Sequence, residues 1–193
     1  MANHVDNIIE IQYDKNDENA QKFLQSIYDL GMNSYDNESS LSDVFENPEN
    51  TITWWSDNIG AKWAYINDLD SPPEDGFFYM NITSAWSEVR PFVEHISRML
   101  NDKCKITLQF IDEMPNFIGC LVMNNGDIEY DYYEEEIHDL IEQEKEIRMI
   151  AENKSFESDD EMYDWVWDWK WDYIHDMIEP GYHSDEEDDD ELN

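Results

Sequence analysis

Basic residues are scarce in this sequence. Eleven Lys and Arg stand against 48 Asp and Glu in 193 residues, a formal net charge of −37. Nucleic-acid binding needs a basic footprint to meet phosphates, so direct binding of that kind is excluded, and anionic membrane surfaces are disfavoured for the same reason. No apolar run reaches the length of a membrane span. The opening MANHVDNIIE has neither a basic start nor a long apolar stretch, so it does not read as a signal peptide. Two cysteines, Cys104 and Cys120, are too few for a disulfide framework. They are expected as reduced thiols of a cytoplasmic protein, and could face each other on neighbouring strands. Sequence signatures of catalysis are missing as well: there is no P-loop, no G-x-S-x-G elbow and no calcium loop. The five histidines show no zinc spacing; His175 and Glu179, four apart on a helix, are a coincidence to be expected among so many acids. No catalytic residue, metal or cofactor is therefore expected, and the chain does not read as an enzyme.

What is abundant is aromatic. Phe, Trp and Tyr make up 14% of the residues, with eight Trp. Disordered chains pair high charge with few aromatics, so a packed core is expected despite the self-repulsion. The charge is uneven. Residues 1–126 hold 21 acids and 7 bases, whereas residues 127–193 hold 27 acids and 4 bases in about half the length. Three regions follow: an α+β domain over 1–131, an acidic, Trp-rich helical extension over 132–180, and a tail over 181–193. The like-charge block DEEDDDE at 185–191 is expected to be disordered.

Periodicity predicts the elements of the first region. Residues 7–13 read as a strand. Asp17 caps a helix carrying Ala20, Phe23, Leu24, Ile27 and Tyr28, stopped by Gly31. Residues 51–55, 61–66 and 77–83 read as strands, and Ser87 caps a helix through Leu100. Residues 105–111 and 116–123 form two further strands. The turn Asn124-Asn125-Gly126-Asp127 then leads to a short edge strand at 128–130. The order β-α-β-β-α-β plus a hairpin predicts a ferredoxin-like antiparallel sheet with helices on one face. Helices are predicted over 132–153 and 158–178, the second capped by Ser158.

Three short motifs resemble the YubB-type ferredoxin-like domain family of phage and plasmid proteins. They are Asn58-Ile59-Gly60-Ala61-Lys62-Trp63, Ser84-Ala85-Trp86-Ser87 with Pro91 nearby, and Phe117-Ile118-Gly119 in a late strand. The likeness covers residues 5 to about 127. It departs at Ser84, where the family usually has Thr, and in the loop after Met32. The resemblance implies the fold and a mobile-element origin, but no reaction. Trp63 and Trp86 flank tight turns and are expected to anchor the core. Lys62 is expected to pair with a carboxylate or, less simply, to hold a phosphate.

The most informative segment is 158–178. Asp160, Asp164, Asp168, Asp172 and Asp176 recur every four residues, so on a helix they stand ~6 Å apart along the axis, each rotated about 40° from the last. They make a slowly winding negative ribbon. Met162, Val166, Trp169, Tyr173 and Met177 form one apolar face, and Tyr163, Trp167, Trp171, Ile174 and Ile178 form an adjacent one. So wide an arc buries more than one side of a helix. The helix is expected to dock on its own domain and to offer Trp165, Trp167 and Trp171 as apolar contacts. A solvated acidic face is the simpler reading. Against it, like charges four apart repel by a few tenths of a kcal/mol per pair, with only Lys170 to relieve them locally. The functional reading is imitation of nucleic-acid phosphates. Duplex DNA carries a charge every ~1.7 Å of axis, so one ribbon is too sparse. The preceding helix, with Glu134, Glu135, Glu136, Asp139, Glu142, Glu144 and Glu146, has to lie alongside. The expected partner is a host nucleic-acid-binding protein with a basic groove: a restriction, recombination or CRISPR-type nuclease, or a nucleoid protein. A homodimer is expected from the two apolar faces. Two alternatives stay open: a phage structural or assembly protein that self-associates through the Trp-rich helix, and an acidic chaperone for a basic partner.

Overall fold

Alternation along HVDNIIEIQY sends Val5, Asn7, Ile9 and Ile11 to one side of strand β1 (His4–Tyr13) and leaves the other side polar. In the computed structural model, which describes residues 3–32 and 39–181, β1 lies at the centre of a seven-stranded antiparallel sheet. The block at 185–191 lies outside the described residues. The other strands are β2 (Ser39–Ser40), β3 (Ala64–Asp68), β4 (Phe77–Ala85), β5 (Cys104–Asp112), β6 (Ile118–Asn124) and β7 (Asp127–Glu134), in the spatial order β2-β3-β4-β1-β5-β6-β7. The helices are α1 (Glu18–Met32), α2 (Ile52–Asn58), α3 (Arg90–Met99), α4 (Ile137–Ala151) and α5 (Asp159–Met177). β1-α1-β3-β4-α3-β5 is the ferredoxin-like unit, an α+β fold. β6 and β7 widen its sheet.

Helices α1 and α3 cover one face. Ala20, Leu24 and Ile27 of α1 and Phe92, Val93 and Ile96 of α3 pack on Ile9, Ile11, Met80, Ile82, Ile106 and Leu108. Asp17 starts α1, its Oδ1 accepting from the amides of Asn19 (3.0 Å) and Ala20 (3.1 Å). Gly31 does not stop α1, which continues through it. A Cβ there would lie 2.3 Å from Leu69 Cδ1, so glycine serves close packing under β3. Residues 51–55 are not a strand. Thr51 Oγ1 accepts from Trp54 N (3.2 Å) and caps α2, so a local cap outweighs the β propensity of ITWW. Ser87 does not cap α3. The amide of its N-cap residue, Val89, donates instead to the buried Asn7 Oδ1 (3.1 Å), while Asn7 Nδ2 donates to Ser84 Oγ (2.9 Å) and Ile82 O (3.1 Å). Ser84 Oγ donates to Ser87 O and Ser87 Oγ donates to Gly60 O. Gly60, at φ +101°, lies so close to α3 that a Cβ would meet Glu88 O and Pro91 Cδ at 2.6 Å. The Gly60 turn, the Ser84–Ser87 turn and the start of α3 are thus one clasp.

β6 is buried along nearly its whole length. Leu121 and Met123 face the first core, whereas Ile118, Cys120 and Val122 face a second one with Ile137 and Ile141 of α4, Trp169, Ile174 and Met177 of α5, and Ile178. The two C-terminal helices therefore lie on the opposite face of the sheet, over the β5–β7 side. β7 runs to Glu134, so the expected helix from residue 132 begins only at Ile137. The boundary at 131 falls inside a strand whose Asp131 is tied to Arg90 of α3 at 2.6 Å. Cys104 and Cys120 do not face each other: they belong to the first and second cores. No helix among the described residues is long and apolar enough to cross a membrane.

Candidate partner-binding surface

Ser158 starts α5, its side chain accepting from Glu161 N (3.3 Å), with Asp159, Asp160 and Glu161 in the first turn, where the helix dipole favours acids. Trp169, Ile174 and Met177 then turn to the sheet, with Trp165, Val166, Trp171 and Tyr173 partly buried around them. The acidic ribbon winds along the exposed side of the helix. Asp160, Asp164, Asp168, Asp172 and Asp176 are all exposed. Among the described residues none of them forms an ion pair: every ion pair found involves other residues. Lys170, expected to relieve them, is drawn elsewhere. Its Nζ lies 4.3 Å from the ring centre of Trp171 and 4.8 Å from that of Trp167. Burial lowers its pKa below the ordinary lysine value.

The Trp contacts divide. Trp167 is 61% exposed and meets Trp171 edge to face at 5.6 Å, with Tyr163, 67% exposed, nearby on the same side of the helix. Trp165 faces inward, 5.3 Å from Phe156 and 5.8 Å from Trp169, and is partly buried in the second core. It serves folding more than contact. Trp169 carries the guanidinium of Arg148 at 4.8 Å from its ring centre, which is where α4 meets α5.

The acids before and along α4 are less free than those of α5. Glu134 sits at the end of β7, and its Oε1 accepts from the amides of Glu135 and Glu136 (both 3.0 Å), steering the chain into α4. Glu142 pairs with Lys145, and Glu144 with Arg148 at 2.6 Å. Glu135, Glu136 and Asp139 line a cleft of about 360 Å³ with Met114, Asn116 and His138. Glu146 is exposed. The structure therefore puts the unpaired charge on α5, with Glu135, Asp139 and Glu146 as exposed acids beside it in the chain. His175 is exposed on α5, but Glu179 falls beyond the helix end. Among the described residues no group of three His, Cys, Asp or Glu is arranged to hold a metal ion. Burial pushes the Cys120 thiol up to about 12 and raises that of Cys104, leaving both as protonated packing groups.

Trp63 and Trp86 do not anchor the core. Trp86 is 52% exposed at φ +71° and lies under Lys62 Nζ, 4.4 Å from its ring centre. Among the described residues Lys62 is engaged by a ring, not by a carboxylate. Comparisons with protein-family models, curated proteins and solved structures returned no match to this chain.

Proposed function

We propose that this chain is a non-enzymatic, phage-type protein of the host cytoplasm. In this reading α5 presents an ordered acidic surface that competes with DNA or RNA for the basic groove of a host nucleic-acid-binding protein, such as a defence nuclease. The observation that carries the reading is the exposed, unpaired state of Asp160, Asp164, Asp168, Asp172 and Asp176 on a helix fixed to the sheet by Trp169, Ile174 and Met177. Leaving these charges uncompensated costs stability, and a helix needing only solubility would place cations between them. Steered association with a basic groove is accelerated by such a field. Exposed Trp167 and Tyr163 then supply apolar contact beside the charge. The ribbon alone is sparser than one DNA strand, ~6 Å per charge against ~3.4 Å, so the mimicry is partial and relies on Asp139, Glu135 and Glu146 for added field. The experiment is a pull-down from host lysate with immobilised full-length chain, eluted with duplex DNA or RNA. Recovery of one nucleic-acid-binding protein, released by nucleic acid, is the expected outcome. Recovery of only this chain or virion components would instead support the assembly reading, which the exposure of Trp167 favours.

A further inference from the structure

The described residues cover only half of the second face of the sheet. No residue of β1, β3 or β4 belongs to the second core, and on that side these strands present His4, Asp6, Ile8, Tyr65, Asn67, Phe77, Tyr79 and Thr83. At one end of this open strip lies a cleft of about 470 Å³, lined by His4, Trp63, Tyr65, Asn67 and Thr83. Its volume falls within the range of ligand sites. The Trp63 and Tyr65 rings lie 5.4 Å apart, tilted by 35°, and His4 meets Trp63 edge-on at 5.4 Å. Asn67 Nδ2 donates to Thr83 Oγ1, which in turn donates to Asp6 Oδ1 at 3.5 Å. Glu113 Oε2 lies 3.9 Å from His4 Nδ1. The cleft thus has aromatic walls, a hydroxyl and an amide on its floor, and carboxylates at its edges. Neither Lys nor Arg lines it.

We infer that this cleft is a second binding site, and that its ligand is the guanidinium of an arginine carried by a basic polypeptide. Three arguments select that chemistry. A cation over an aromatic face is attracted by the ring quadrupole, and a neighbouring carboxylate adds charge-assisted hydrogen bonds. Guanidinium does both at once, since it stacks on rings and donates in a planar fork, whereas ammonium is more strongly hydrated. Next, the chain uses its few cations this way itself: Lys62 lies on Trp86, Arg148 on Trp169, and Lys170 on Trp167 and Trp171. Among the described residues Trp63 has no such cation. Lastly, a nucleobase stacked here would bring its phosphates to Asp6 and Glu113, with no basic groove to track the strand. A polypeptide is the source chosen because the same face of β1 and β4 continues beyond the cleft with the half-buried Ile8 and Tyr79 and the exposed Phe77, an apolar strip that flanking residues would contact. The inference does not depend on the α5 surface, so either can fail alone.

The test is an NMR titration of the full chain with blocked Gly-Arg-Gly, Gly-Lys-Gly and Gly-citrulline-Gly peptides, following the Trp63 indole and the Tyr65 and Thr83 amides. Citrulline keeps the shape of arginine without its charge. The arginine peptide is expected to shift these signals saturably, with the citrulline peptide at least about tenfold weaker and the lysine peptide between them. Asp6→Asn is expected to weaken the arginine peptide roughly fivefold, and Trp63→Leu to abolish the shifts. Should Trp63→Leu fail to fold, Asp6→Asn and the citrulline comparison still decide. Equal binding of the arginine and citrulline peptides overturns the inference, as do shifts confined to Trp167 and Trp171 or the absence of saturation. A single-stranded oligonucleotide moving the same signals reassigns the site to nucleic acid. Agmatine binding more tightly than the peptide reassigns it to a small molecule. Both outcomes overturn the proposal as stated.

Discussion

At the scale of single residues, one buried polar side chain ties separate elements of this fold together. Asn7 is wholly buried, yet its amide joins β1 to β4 and accepts from the amide of Val89 at the start of α3, so one residue ties three elements together. His95 shows the converse, a titratable ring held neutral. It stacks on Phe45 at 4.3 Å between ring centres, and burial, with Arg98 adding to it, lowers its pKa below the ordinary 6.5. Between the lowered value and 6.5 the unfolded chain binds more protons than the folded one. Stability linked to His95 is therefore complete above 6.5 and lost as pH falls below it. His95→Phe keeps the stack and removes the titration. In urea unfolding at pH 7 and again near pH 5, the wild type is expected to lose more stability than His95→Phe on acidification, the carboxylates being common to both. Parallel losses in the two proteins would show that this ring does not set the acid limit.

At the scale of elements, the docking of α5 turns on Trp169. Replacing it with alanine removes most of a buried ring from the second core and is expected to cost about 3–5 kcal/mol. Trp169→Phe is expected to cost much less. Among the described residues the buried indole N–H has no hydrogen-bond partner, so removing it recovers part of a desolvation penalty of about 1–3 kcal/mol. Chemical denaturation of both variants measures the difference. An alanine variant as stable as the wild type would mean that α5 is only loosely held. How far such elements were legible in the sequence varied with the physics behind them. Asp17 and Ser158 are local caps, and both starts were readable. The continuous apolar run of β6 carried a signal for burial on both faces, yet periodicity alone does not say what covers the second face. In β7, Tyr130 and Tyr132 alternate with Asp131 at a strand's period, but the glutamates that follow read as helix and moved the expected start five residues too early. The segment at 51–55 failed because a threonine cap decided between two structures of similar propensity. Of the candidate surface, the α5 ribbon was legible from its spacing of four. The pairing of Glu142 and Glu144 with α4's own cations was open to the same i, i+3 and i, i+4 reasoning. Glu134 as a chain-turning acceptor, and Trp63 in an open cleft instead of a core, depend on tertiary placement that no local pattern encodes.

At the scale of the whole molecule, a net charge of −37 sets stability and partner binding against each other, and salt separates them. Self-repulsion opposes the compact state. Raising salt shortens the Debye length from about 10 Å at 0.1 M to about 3 Å at 1 M, so stability is expected to rise. Binding to a basic groove is expected to fall over the same range, since it draws on the field that salt removes. Changing Asp164, Asp168 and Asp172 to Asn tests whether the position of the charge matters beyond its amount. The variant loses all four like-charge i, i+4 pairs of the ribbon and is expected to gain about 1–2 kcal/mol of stability at low salt, with the gain shrinking at high salt. For its partner it is expected to bind at least about tenfold more weakly, because close charge pairs across a groove couple by ~1.5 kcal/mol or more. The matched control changes Glu46, Glu49 and Asp57 to their amides. These acids are exposed and lie before and within α2, so the control removes the same charge from another part of the chain. It is expected to lower the association rate slightly and leave dissociation unchanged, since remote charge steers without fitting. Thermal melts and a titration against the captured partner, each at two salt concentrations, read both quantities. If both triple variants weaken binding equally, the partner senses net charge alone and the ribbon is a solvated helix face. If the α5 variant gains stability and selectively loses affinity, the cost of five unpaired aspartates on one helix is explained by what they bind.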